Sequence, residues 1–258
     1  MNILAIGDVV GSAGCEHVRR HLAPLKKLKG IDICIVNGEN SSDGNGITPV
    51  SAQNLLDSGA DVITTGNHVY KRREIYEYLD GPSSVIRPAN YVENNPGQGY
   101  YIVDKGSVRA AVINLAGTMH MEPVQNPFYC VDKLLEKDDI RDCKIKIVDF
   151  HAETTSEKRA MGFYLAGRVS AVFGTHTHVQ TADEQIIKDS TGYITDIGMT
   201  GPIQSVLGVK SHIIIEKLKT NMPARFENEK GDCFMCGCIF EIDNGTGHTL
   251  SVERIDIR

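Results

Sequence analysis

Short apolar runs alternate along the chain with amphipathic stretches, and the two periodicities separate strands from helices. Residues 2–6 form a buried-strand pattern that stops at Gly7-Asp8. Val18, Leu22, Leu25 and Leu28 then recur at helical spacing within 15–28. A second run, 31–37, stops at Gly38-Glu39-Asn40, and a third, 62–65, at Gly66-Asn67-His68. Between them Pro49 opens a helix to about Ser58, since proline suits a first helical turn, and 72–79 is predicted as another helix. After a turn-rich stretch at 90–99, residues 100–103 and 109–115 are predicted to pair as a hairpin about Lys105-Gly106. Strand 144–150 delivers His151, helix 155–165 follows, and strand 171–174 delivers His176 and His178. Four further β runs, at 184–189, 193–197, 233–242 and 250–257, close the chain. Strand–helix units followed by hairpin-like strands predict an α/β chain: a mixed sheet system covered by helices.

With no repeat, low-complexity tract or linker, one domain over 1–258 is the economical organisation. Residues 117–128 lack periodicity and carry Met119, Met121, Pro123 and Pro127, which makes them a candidate lid over a site. Residues 198–208 are a second loop that could border it.

Composition narrows the function. A hydrophobic fraction of 41% and a charged fraction of 23% are ordinary for a chain that buries a core. The formal net charge of -6 argues against a protein that grips nucleic-acid backbone on a basic face. No stable nucleic-acid binding is expected, although divalent cations would reverse the sign of an acidic pocket. No apolar run approaches the ~20 residues that span a bilayer, and the first residues lack a basic stretch, so they read as a strand and not a signal peptide. Seven cysteines, mostly scattered, suit reduced thiols in a cytoplasmic protein. Cys233, Cys236 and Cys238 form a C-x-x-C-x-C cluster, but structural zinc takes four ligands and no second pair lies near. Packing in the core of a late strand is the favoured reading.

The chemistry lies in where the strands stop. Four of the five runs end in a glycine followed by side chains of metal-ligand type: Gly7-Asp8, Gly38-Glu39-Asn40, Gly66-Asn67-His68 and Gly174-Thr175-His176-Thr177-His178. The fifth ends in His151. Carboxyl ends of strands in α/β sheets line one edge, where ligands bind, and glycine permits tight turns and close backbone approach. Alone, each piece is ordinary: Gly-Asp is a turn, Asn67 a turn residue, His151 a core histidine. His176 and His178 say more, since side chains at i and i+2 of an extended segment point the same way. Asp8 and Glu39 offer anionic oxygen, Asn40 and Asn67 amide oxygen, and His151, His176 and His178 imidazole nitrogen. Mixed O/N donors without thiolate suit manganese, iron or zinc. Seven donors exceed one tetrahedral shell and fit two ions with a shared carboxylate. Two ions about 3.5–4 Å apart can clamp a phosphoryl group and generate hydroxide.

These blocks, in order from residue 7 to residue 178, resemble the calcineurin-like metallophosphoesterases. Two positions depart from the common pattern: Val10 stands where the first block usually has histidine, and Gly38-Glu39-Asn40 replaces Gly-Asp-x-x-Asp. Both departures are similar to the YmdB-like bacterial branch, as are residues 1–11 and 152–158. The resemblance implies a mixed β-sandwich flanked by helices in αββα layers. It implies one ion on Asp8, Glu39, Asn40 and His178, and a second on Glu39, Asn67, His151 and His176, with iron or manganese as the metals. It implies His68 as general acid, since histidine titrates near neutrality; the plainer role is to orient phosphate. It further implies a cytoplasmic homo-oligomer hydrolysing small phosphodiesters, 2′,3′-cyclic nucleotides above all, by hydroxide attack on phosphorus. The alternatives are a phosphomonoesterase or 5′-nucleotidase-like activity on the same site, and a regulatory protein that keeps the fold.

Overall fold

The computed structural model describes residues 1–106 and 108–258; Ser107, in the turn of the predicted hairpin, lies outside the described residues. The first third alternates as predicted: β1 (Asn2–Ile6), the short β2 (Asp8–Val9), α1 (Gly11–Lys29), β3 (Ile33–Asn37), α2 (Pro49–Asp57), β4 (Val62–Thr64) and α3 (Ile75–Asp80). Next come the hairpin β5 (Tyr100–Asp104) and β6 (Arg109–Ala116), then α4 (Pro127–Leu135), α5 (Asp138–Arg141), β7 (Ile145–His151), α6 (Thr155–Leu165) and β8 (Ala171–Thr175). The remainder holds β9 (Gln185–Ile187), β10 (Thr191–Ile194), β11 (Met199–Pro202), α7 (Ser211–Thr220), β12 (Cys233–Ile242) and β13 (Thr249–Ile257).

The strands form two sheets, one ordered β2-β11-β12-β1-β3-β4 with β13 beside β12, the other β5-β6-β7-β8-β10-β9. Strands β1, β3 and β4 run parallel in the first, and β6, β7, β8 and β10 in the second. Period-2 alternation sorts their side chains. Ile3, Ala5, Ile33 and Ile35 face Val112, Ile147 and Phe173 across the seam between the sheets. Leu4, Ile6, Cys34 and Val36 turn outward onto Val18 and Leu22 of α1 and Leu55 of α2. Ile113, Leu115, Val148 and Phe150 turn outward onto Val131 of α4 and Met161 and Leu165 of α6. The layering is therefore αββα.

Helix ends follow local chemistry. Thr48 caps α2 by accepting from the Ser51 amide, with Pro49 in the first turn. α1 ends at Gly30 in the left-handed conformation, with Lys26, Lys27 and Lys29 in its last turn, where cations suit the helix dipole.

Four predictions need correction. α1 begins at Gly11, a turn before the apolar periodicity starts. The 198–208 stretch is not all loop: β11 pairs parallel with β2, Met199 against Asp8, a contact between distant segments that no local pattern announces. The 117–128 stretch gives up its last two residues to α4, which Asn126 caps. The histidines at 176 and 178 do not sit on extended backbone (below). α7 was not foreseen because none of its residues is buried, so it carries no core-facing stripe. Cys233, Cys236 and Cys238 are buried on β12, as expected.

Phe240 of β12 stacks on Phe173 of β8 at 6.2 Å between ring centroids, with both rings buried at the seam. Phe240→Ala is expected to cost about 3–5 kcal/mol, read as a lower urea midpoint; a loss below about 1 kcal/mol would contradict the packing described.

Candidate metal centre

All seven sequence-predicted ligands meet at the carboxyl edge of the two sheets. Asp8 lies in β2, just past β1; Glu39 and Asn40 follow β3; Asn67 follows β4. His151 ends β7, and His176 and His178 follow β8. The first sheet thus supplies the oxygens and the second the imidazoles.

The donors form two groups that share Glu39. In one, His151 Nε2 lies 3.2 Å from Glu39 Oε2, 3.0 Å from Asn67 Oδ1 and 3.1 Å from His176 Nδ1. An imidazole nitrogen carries at most one hydrogen, so hydrogen bonding cannot satisfy all three neighbours, whereas a cation among them can. Glu39, His151 and His176 converge closely enough to hold one. In the other, His178 Nε2 lies 3.6 Å from Asp8 Oδ1 and 3.4 Å from the Asn40 amide nitrogen. Asp8 Oδ1 is buried without a hydrogen-bond partner, a costly state that an ion relieves. The donors thus fit hard or borderline cations. Asn40 presents Nδ2 to this group, 2.9 Å from Glu39 Oε1, and Oδ1 to His68 Nδ1 at 2.8 Å; ligation requires its amide to turn over.

Charge compensation within the cluster sets the direction in which each group's pKa moves. Burial pushes Glu39 up, but His151 and His68 hold it well below the usual carboxylate range. Burial likewise opposes ionisation of Asp8, and His178 outweighs it, so Asp8 is lowered. Burial would depress His151, yet Glu39, Asp8 and Asp149 raise it to about 9. His178 is raised against burial by Asp8. His176 goes the other way, to about 4, through burial and the charge of His151. The two carboxylates therefore demand positive charge at this edge.

His176 and His178 adopt φ of 94° and 62°, left-handed backbone that costs non-glycine residues about 1–3 kcal/mol each. The kinks send the two rings to different groups, which an extended segment would not. Lys158 and Asp196, both fully buried, hold this turn. Lys158 Nζ donates to Asp196 Oδ2 at 2.8 Å and to Thr177 Oγ1 at 3.2 Å. Asp196 also accepts from the Thr177 hydroxyl at 2.6 Å, the Thr177 amide at 3.2 Å and the Gly198 amide at 2.7 Å. Under the other histidine, Thr175 Oγ1 meets His151 Nδ1 at 2.9 Å and donates to Asp149 at 2.7 Å, which orients the ring. Burial raises Asp149 to about 7. Glu153 Oε2 sits 3.0 Å from His176 Nε2, leaving Nδ1 for the cluster.

Sequence reasoning did not assign these supporting residues. Asp149 and Asp196 could have been found as lone carboxylates inside otherwise apolar runs. Lys158 shows its role only in three dimensions. His68 lies at the rim, its side chain 22% exposed, with its backbone amide donating to Glu39 Oε2 at 3.1 Å. The glycines act through close approach: a Cβ on Gly66 would sit 2.2 Å from His151 Nε2 and 2.4 Å from Glu39 Oε2.

A solved phosphatase structure from Mycoplasma pneumoniae superposes with a TM-score of 0.93 and 35% identity, covering 100% of this chain and 93% of that one. A putative 5′-nucleotidase from Staphylococcus aureus shares the fold at 17% identity, with a TM-score of 0.59, over 100% of this chain and 54% of that one. With donors gathered at one sheet edge, this is the metallophosphoesterase fold, and the chain is a phosphoester hydrolase. More narrowly, residues 4–255 match the YmdB-like protein family, to which the chain belongs. A relative from Bacillus subtilis (strain 168), the 2′,3′-cyclic-nucleotide 2′-phosphodiesterase, is 44% identical over 255 residues, 99% of this chain and 96% of its own.

Removing one partner of a buried pair strands the other charge, so Asp196→Ala is expected to cost about 3–5 kcal/mol and to lower retained metal. Urea melts and elemental analysis test this; wild-type metal retention would show that the turn does not depend on the pair. Gly66→Ala is expected to abolish turnover in a folded protein, and normal rates would contradict the packing around His151.

Proposed function

We propose that the chain hydrolyses small phosphodiesters, 2′,3′-cyclic nucleotides foremost, with two divalent ions at the strand edge and His68 as general acid. The observation that carries this reading is the pair of donor groups meeting at Glu39. Asp8, Glu39, Asn40 and His178 would hold one ion, and Glu39, Asn67, His151 and His176 the other. Bound there, such ions neutralise phosphoryl oxygens and lower the pKa of water. Oxygen and imidazole donors without thiolate favour iron or manganese, with zinc as a further possibility.

The chain's own residues do the rest. Thr175 and Asp149 fix the His151 ring, and Glu153 fixes His176. Ligation of an ion by Asn40 Oδ1 would turn its amide nitrogen toward His68 Nδ1, the atom its oxygen now faces. That nitrogen then accepts, which leaves the ring hydrogen on Nε2 for the leaving oxygen. The activity for which the B. subtilis relative is named supports the cyclic-nucleotide assignment. All seven cysteines are unpaired, which supports a reducing, cytoplasmic setting.

His68→Ala is expected to lower kcat by about 10²–10⁴-fold with metal content unchanged; parallel loss of metal would make His68 structural. Glu39→Ala is expected to lose both ions by elemental analysis, and a fully loaded, active variant would refute the shared carboxylate. Assays on a cyclic nucleotide and its mononucleotide in parallel separate phosphodiesterase from phosphomonoesterase.

A further inference from the structure

An open cavity of about 910 Å³ is lined by none of the donors but by residues next to them along the chain. Ligand sites for molecules of nucleotide size span about 300–1,000 Å³. Three of its walls continue the loops that carry the donors. Val10 and Gly11 follow Asp8, Asp43 to Asn45 follow Asn40, and Lys71 and Arg72 follow His68. These walls are stitched together. The Gly11 amide donates to the Asn40 carbonyl at 2.8 Å, and the Lys71 amide to the His68 carbonyl at 3.0 Å. Ser12 donates from its amide and hydroxyl to Asp43. Arg72 donates to the carbonyls of Asp43 and Asn45 at 2.6 and 2.9 Å. The fourth wall is the segment around Arg225 to Lys230, held by a bridge between Val209 and Asn228.

The charges of the cavity do not cancel. Five cations (Lys71, Arg72, Lys210, Arg225 and Lys230) line it against three carboxylates (Asp43, Glu227 and Glu229), an excess of two positive charges, and Lys210 engages Glu227 at 2.7 Å. Lys71, Arg225 and Lys230 line the cavity with no ion-pair partner among the described residues. Phe226, exposed, stands among them, with the Lys217 ammonium over its ring at 4.6 Å, so a stacking base would take its other face. Unpaired cations interleaved with an aromatic ring match the backbone and bases of a single strand. The net charge of -6 speaks against a broad basic face and not against a local cationic cavity.

We propose that this cavity binds the nucleotides on the 5′ side of the scissile group, so that the preferred substrate is a short oligonucleotide ending in a 2′,3′-cyclic phosphate. This rests on the phosphodiesterase reading above. Lys71, Arg225 and Lys230 meet the upstream phosphates, and Phe226 stacks on a base. A mononucleotide leaves the cavity empty.

The test compares kcat/KM for adenosine 2′,3′-cyclic phosphate with that for a triadenylate ending in the same group, on the metal-loaded enzyme. The trinucleotide is expected to be favoured on the order of tenfold, since charge-assisted contacts at exposed side chains are weakened by solvent. In the Lys71→Ala/Arg225→Ala variant, whose altered side chains are both exposed, the ratio is expected to fall toward one. It should also shrink as salt rises. A wild-type ratio of one, or a ratio that survives in the variant or in high salt, overturns the subsite. Failure to hydrolyse either compound overturns the phosphodiesterase reading itself, and the subsite with it.

Discussion

Two buried carboxylates, Glu39 and Asp8, set the terms for the rest of the structure. Each is buried, and neighbouring histidines favour its ionised form: His178 and His151 of the opposite sheet at Asp8, His151 and the nearby His68 at Glu39. An unpaired buried charge is far more costly than most single packing contacts are favourable. The strand ends must therefore bring imidazoles, amides or cations to the carboxylates, and the loops are arranged to do so. His68 reaches Glu39 from the loop after β4 and His151 reaches it from the opposite sheet. The absence of a side chain on Gly66 lets the second sheet come that close.

Around this centre the polar groups form tiers. Thr175 and Asp149 stand behind His151, and Lys158 with Asp196 stands behind the His176–His178 turn. The second of these is a fully buried ion pair with nearly all its hydrogen-bonding capacity used. Such pairs contribute little net stability, but a satisfied network has one arrangement, and this one fixes Thr177 between the two left-handed histidines. Rigidity is thereby placed where ring orientation matters, while the outer helices are joined by ordinary apolar packing.

Much of this was legible in the chain. Alternating apolar runs located β1, β3, β4, β6, β7 and β8, and the residues at their ends named the seven donors. Those signals are local, since a strand's burial and its stopping point are written in consecutive residues. What was not legible is non-local. β2 and β11 exist only because Asp8 and Met199 meet across the fold. The partnership of Lys158 and Asp196 joins a helix to a strand end 38 residues away. The left-handed residues His176 and His178 flank Thr177, which Lys158 and Asp196 hold, and the His176 amide donates to Asp8 from the far end of the chain. α7 buries no side chain, so its pattern carried no core-facing stripe to read.

The division of donors between the sheets has a mechanical consequence. Asp8, Glu39 and Asn67 belong to one sheet and His151, His176 and His178 to the other, so anything bound by both sets spans the seam as a clasp. Sliding one sheet over the other by a single residue, about 3.3 Å, would separate the pairs that cross the seam, His151 with Glu39 and Asn67 and His178 with Asp8. Ligand binding and sandwich cohesion are thus one equilibrium seen from two ends, since whatever binds only the joined state favours it by mass action. In a chain built this way the strand edge acts as the latch of the fold.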